Sequence, residues 1–127
     1  MELKQDERID DLEFNGLKII QNKNGFCFGI DSVLLSDFAK NMRKNSKVID
    51  LGTGTGIINI LLSGKTTAKE LVGVEVQEEV ADMAKRSVKL NGVEGKIEIL
   101  NKNILDLKIS IIKDILMLWL QTLHIKK

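Results

Sequence analysis

The spacing of hydrophobic and polar positions changes several times along the chain, and each change predicts a different element. Residues 11–20 (DLEFNGLKII) alternate apolar and polar side chains around Asn15-Gly16, which predicts a β-hairpin with a tight turn. Past Asn24-Gly25, the run GFCFGIDSVLLSDFAK places Asp31 or Ser32 to cap a short helix with Val33, Leu34, Leu35 and Phe38 on its apolar face. Residues 47–51 (KVIDL) read as a buried strand that runs into a glycine cluster. Residues 57–62 are dense in apolar side chains and predict a helix that stops near Gly64.

The second half of the pattern is clearer. Residues 70–77 (ELVGVEVQ) are strand-like, with branched side chains and little polarity before Glu75. Residues 78–90 follow at helical spacing, with Val80, Met83, Ala84 and Val88 on one side and Asn91-Gly92 as the stop. Residues 96–100 (KIEIL) alternate as a third strand. The order strand, helix, strand, helix, strand predicts an α/β fold with a parallel sheet and right-handed crossovers. Past Leu107 the pattern suits a terminal amphipathic helix, and no further strand follows. The sheet is therefore expected to be incomplete, with about three principal strands behind an N-terminal hairpin.

Composition adds exclusions. The chain has no proline and no tyrosine, which removes Pro-rich linkers, collagen-like repeats and polyproline ligands. Its 127 residues allow one domain. Nineteen basic against eighteen acidic residues leave a net charge of +1, so a nucleic-acid partner needs a local patch or a region outside these residues. The single Cys27 excludes an internal disulfide and fits a cytoplasmic setting. The acidic start MELKQDERIDDLE shows no signal-peptide pattern, and no apolar run suits a membrane span. No membrane and no metal partner are expected. Most of the basic residues are Lys, and Ile and Asn are plentiful, a usage that suggests an A/T-rich coding sequence.

The chemistry concentrates in Asp50-Leu51-Gly52-Thr53-Gly54-Thr55-Gly56. Glycines between a strand and a helix permit a tight turn and close backbone approach to a ligand. A dinucleotide fingerprint wants a third glycine or alanine where Ile57 stands, and no Gly-Lys-Ser/Thr ending marks a phosphate loop. Glu75 lies nineteen residues past Gly56, at the end of the second strand. A carboxylate there can accept hydrogen bonds from both hydroxyls of a ribose; taken alone, it is an ordinary solvated strand-end charge.

In this combination the chain resembles the Rossmann-like S-adenosylmethionine-dependent methyltransferases. FGIDSVLLSDFA (28–39) with VIDLGTGTGIINILLS (48–63) resembles, more narrowly, the bacterial transfer-RNA adenine methyltransferases. That family modifies the exocyclic amine of the adenine beside the anticodon of a valine transfer RNA. The resemblance implies that Asp50, Gly52, Gly54 and Gly56 surround the methionine part of the cofactor and that Glu75 holds the ribose. Asn103 would meet the adenine ring or serve as a simple turn residue. Phe28 and Asp31 would help close the pocket, or serve in core packing and helix capping. Transfer RNA is the implied partner. The implied division is a hairpin and cofactor-covering helix over 1–46, the first half of the cofactor domain over 47–108, and a separate tail over 109–127.

Methyltransferases of this kind that act on an amine carry Asn-Pro-Pro-Tyr at the end of a fourth strand, where it holds the amine and stacks on the flipped base. A chain without Pro or Tyr cannot supply that segment, so no catalytic residue is expected within it. The tail suggests a reason. Back-translated with A/T-leaning codons and read from the third base of the Ile115 codon, residues 115–127 become Phe-Asp-Val-Val-Val-Thr-Asn-Pro-Pro-Tyr-Lys. A frameshift between about Leu107 and Ile115 is expected, with 109–127 out of frame and His124 neither base nor ligand. The first strand would then lack its other neighbour, leaving an open edge prone to self-association. Weak or undetectable cofactor binding and no methyl transfer are expected of this chain alone. Three other readings stand beside this one. They are a methyltransferase for a ribosomal, protein or small-molecule amine, a non-catalytic binding module, and a nicotinamide oxidoreductase, against which Ile57 argues.

Overall fold

A computed structural model describes residues 2–25, 33, 36, 37 and 47–107. Phe28, the expected cap at Asp31 or Ser32 and the tail 109–127 lie outside the described residues. Val33, Ser36 and Asp37, from the helix expected after that cap, are helical.

The hairpin pairs β1 (Glu7–Asp11) with β2 (Lys18–Asn22), antiparallel, with Ile9 opposite Ile20. At its turn the Leu17 N–H donates to the Phe14 carbonyl at 3.0 Å. Asn15 and Gly16 between them take φ of 52° and 70°, the left-handed pair that matches hairpin twist. Both strands lie farther from the turn than the alternation predicted. β1 is mostly charged and carries little apolar signal; pairing and a cross-link hold it instead. The Arg86 guanidinium donates to both Glu7 carboxylate oxygens, at 2.7 and 2.6 Å.

Three parallel strands, β3 (Lys47–Leu51), β4 (Glu70–Val74) and β5 (Ile97–Leu100), lie side by side in that order. They are joined through α1 (Ile57–Lys65) and α2 (Glu78–Leu90). This is the expected incomplete α/β sheet. Side-chain alternation sorts its two faces. Leu71, Ile97 and Ile99 pack with Ile60, Leu61, Ala84 and Val88 of the helices, while Val72 and Val74 pack with Leu107, Ile49 and Leu100. β4, bonded on both sides, is buried from Leu71 to Val74. β3 pairs on one side only among the described residues, leaving Val48, Ile49 and Asp50 half-buried and Leu51 exposed.

The hairpin docks on α2 through backbone groups that β1 does not satisfy. Ser87 Oγ accepts from the Ile20 N–H at 2.9 Å, and the Asn91 amide exchanges bonds with the Lys18 N–H and carbonyl at 2.8 and 2.7 Å. Two helix side chains thereby finish a strand edge. The helix expected to stop near Gly64 does so, with α1 ending one residue past it at Lys65. A Cβ at Gly64 would lie 3.0 Å from both Leu17 Cδ1 and Phe14 Cε1, so the glycine admits the hairpin turn against the helix. Lys96 Nζ instead caps the end of α1, donating to the Ser63 and Thr66 carbonyls at 3.0 and 3.2 Å. Among the described residues no helix is long and apolar enough to cross a membrane.

Candidate functional site

The glycine loop takes its shape from β4. The N–H groups of Gly52 and Thr53 both donate to the Val74 carbonyl, at 2.8 and 2.9 Å, and the Gly56 N–H donates back to the Thr53 carbonyl at 3.0 Å. Gly52, Gly54 and Gly56 take φ of 72°, 60° and 87°, a region costly for residues with a Cβ. Their surroundings differ. A Cβ built on Gly52 or Gly54 meets nothing within 4 Å, whereas one on Gly56 stands 3.4 Å from Ala84 Cβ. Gly52 and Gly54 border open space; Gly56 begins α1 and is packed on α2.

Glu75 stands at the carboxyl end of β4 and is buried. Its Oε1 accepts from the Gly54 N–H and its Oε2 from the Gln77 N–H, each at 3.0 Å. One carboxylate thus ties the glycine loop to the start of α2, and each oxygen keeps further acceptor capacity. Two cavities meet at Gly52 and Glu75. The larger, about 380 Å³, is lined by Gly54, Thr55, Ile58, Gln77 and Met83 among others. The smaller, about 130 Å³, is lined by Val74, Val76, Lys102, Asn103 and Ile104.

The residues singled out in the sequence fall into three groups. Gly52, Gly54, Glu75 and Asn103 come together at these cavities. Asp50 and Gly56 line neither cavity. Phe28 and Asp31 lie outside the described residues. Asn103 is a turn residue, its Oδ1 accepting from the Leu105 N–H at 3.1 Å to cap the short turn Ile104–Asp106. The same residue borders the smaller cavity. Asp50 is half-buried beneath the loop, and Thr53 Oγ1 donates to its Oδ2 at 2.9 Å. Burial pushes the Asp50 carboxyl up, the Glu75 charge adds to the push, and the Thr53 hydroxyl partly offsets it.

Sequence reasoning missed three contributors. Asn101 Nδ2 donates to the Glu75 and Val76 carbonyls at 2.9 and 3.1 Å, fixing the turn that carries the carboxylate. Thr53 is buried, and Gly73 gives it room: a Cβ on Gly73 would lie 2.8 Å from both Thr53 Cγ2 and Oγ1. A glycine inside a strand is a signal of close approach, and Gly73 was open to that reading.

A parallel sheet with a glycine loop after one strand and a carboxylate ending the next defines the first half of a Rossmann-like methyltransferase fold. The family model for ribosomal protein L11 methyltransferase (PrmA) matches residues 31–124, and the chain belongs to that methyltransferase family. The match continues through the tail. The tRNA1(Val) (adenine(37)-N6)-methyltransferase of Flavobacterium johnsoniae is 31% identical over 72 residues, which are 57% of this chain and 31% of that protein. A ribosomal protein L11 methyltransferase of Clostridium perfringens is 39% identical over 67 residues, 53% of this chain and 21% of that protein. The chain therefore spans a third or less of the length of these relatives. Among solved structures, P. horikoshii TYW2 in complex with MeSAdo superposes with a TM-score of 0.69 at 17% identity, covering 83% of this chain and 39% of that one. The complex of aTrm5 and tRNALeu gives 0.66 at 18% identity, covering 85% and 31%. These two likenesses show the fold.

Proposed function

We propose that this chain carries the cofactor-binding half of an S-adenosylmethionine-dependent methyltransferase whose acceptor is the exocyclic amine of a transfer-RNA adenine. The observation that carries the reading is the Glu75 carboxylate, seated where the two cavities meet and already bonded to the Gly54 N–H. The residues present fit that cofactor. The open space over Gly52 and Gly54 accepts a ligand lying close to the backbone. Glu75 has acceptor capacity left for two ribose hydroxyls. Val76 and Ile104 offer apolar surface to a purine in the smaller cavity, with Asn103 at its edge. Asp50 and Glu75 together suit a ligand that carries a sulfonium and an ammonium.

When bound, the cofactor supplies an electrophilic methyl group on sulfur. The chain's own residues act by position: Glu75 orients the ribose, the glycine loop lets the ligand approach the backbone, and Asp50 balances cationic charge. Phe28 and Asp31 would complete the pocket. The acceptor amine needs a polar clamp and a stacking ring beyond these elements. The 127 residues hold no Asn-Pro-Pro-Tyr segment, so on the adenine reading this chain alone is expected to transfer no methyl group.

The transfer-RNA reading is supported by the FGIDSVLLSDFA motif and by the Flavobacterium relative. A second reading, a ribosomal-protein amine as acceptor, is supported by the family match and the Clostridium relative. Reading the DNA downstream of the Leu107 codon separates them. An Asn-Pro-Pro-Tyr segment one frame away supports the adenine amine, and the frame-restored enzyme should then methylate a valine transfer-RNA transcript and not protein L11. Absence of that segment in every frame removes the adenine reading and leaves the protein one.

A further inference from the structure

We propose that Thr53 is the positioning residue of the cofactor site: its hydroxyl fixes the Asp50 carboxylate, and its side chain, seated on Gly73, sets the loop depth that brings the Gly54 N–H to Glu75. The proposal rests on the cofactor reading above for its functional consequence, and on geometry alone for its structural one.

Thr53 is 4% exposed although the glycines on either side of it border open space. It is turned inward. Its N–H bonds the Val74 carbonyl, its carbonyl accepts from the Gly56 N–H, and its hydroxyl donates to Asp50 Oδ2 at 2.9 Å. The parallel register sets Asp50 directly opposite Gly73, so the Thr53 side chain bridges two neighbouring strands where one lacks a side chain. Asp50 Oδ1 has no hydrogen-bond partner among the described residues. With Oδ2 held by Thr53, the carboxylate is oriented before any ligand arrives. The charged group acting on Asp50 is Glu75 at the end of β4, and Lys102 borders the smaller cavity beside Glu75. Replacing the hydroxyl frees the Asp50 rotamer and loosens the loop that Glu75 grips.

Thr53→Val keeps the shape and removes the hydroxyl, Thr53→Ser keeps the hydroxyl, and Thr53→Ala removes it without crowding should the valine variant fail to fold. In the 127-residue chain, carboxyl NMR follows the Asp50 titration and amide exchange follows Gly54. Thr53→Val or Thr53→Ala should raise the Asp50 titration midpoint and speed Gly54 exchange about tenfold, and Thr53→Ser should restore the midpoint. Unchanged titration and exchange in Thr53→Val or Thr53→Ala, or a Thr53→Ser variant that behaves like them, overturns the positioning role. A third readout is the NMR-detected affinity for S-adenosylhomocysteine, expected to fall about tenfold in Thr53→Val and to hold in Thr53→Ser. If the loop readouts move and this affinity does not, the loop is organised by Thr53 but is not the cofactor site. That result overturns the functional half of the proposal separately.

Discussion

Replacing Gly73 by alanine puts the packing under the glycine loop to a test whose sign is informative. Gly73 lies in mid-strand with no positive φ, so alanine should ordinarily stabilise the chain by up to about 1 kcal/mol through lost unfolded-state entropy. Here the new Cβ would stand 2.8 Å from Thr53 Cγ2 and Oγ1 and 2.9 Å from its Cβ. Overpacking of that kind costs about 1–3 kcal/mol. Pushing Thr53 aside also loses its bond to Asp50, worth about 1–2 kcal/mol. Less the entropic gain, the expected net loss is about 1–4 kcal/mol, measured by urea unfolding at neutral pH. Thr53→Gly removes the atoms that clash, so Gly73→Ala should cost at least about 1 kcal/mol less in that background, the difference being the coupling of a double-mutant cycle. A neutral or stabilising Gly73→Ala, or costs that simply add, would refute the packing described for Thr53.

Three further outcomes are expected. Arg86→Leu should cost about 2–3 kcal/mol by leaving the Glu7 carboxylate without its guanidinium partner. The bond to Arg86 holds Glu7 below its ordinary value of 4.5. The stabilisation is therefore present above that value and lost as pH falls through the lower folded one, so melts of the two proteins should converge in acid. Asp50 runs the other way: its carboxyl is raised above 3.8, so its contribution is fully present below that pH and lost as pH rises through the folded value. Asp50→Asn should raise Tm near neutral pH while weakening cofactor binding. Lys96→Met should cost about 1 kcal/mol and speed amide exchange in the last turn of α1, whose carbonyls Lys96 caps.

Elements whose signals are local were legible from the chain. KVIDL is β3 and residues 78–90 are α2, because apolar runs and an Asn-Gly stop speak for themselves. β1 was hidden because it is held by pairing with β2 and by Arg86, 79 positions from Glu7. The end of α1 near Gly64 was legible because a glycine near a helix end usually marks one; only the docked hairpin shows what that glycine makes room for. At the site, Glu75 could be placed by its distance from the glycines, since both lie at ends of adjacent strands. Gly73 carried the signal of a glycine inside a strand, but Thr53 as its partner could not be named, because their contact depends on the β3–β4 register and on the loop folding inward. The sequence also treated the three glycines alike, whereas Gly56 serves helix packing and Gly52 and Gly54 border the cavities.

The most direct test of the cofactor site is a titration of the isotopically labelled chain with S-adenosylhomocysteine up to millimolar concentration, followed amide by amide. The expected result is a saturable set of shifts at Gly52, Gly54, Val76 and Asn103 that collapses in Glu75→Ala. Shifts confined to other parts of the fold, or a response at the loop that survives Glu75→Ala unchanged, would contradict the assignment of Glu75 and the glycine loop to the cofactor.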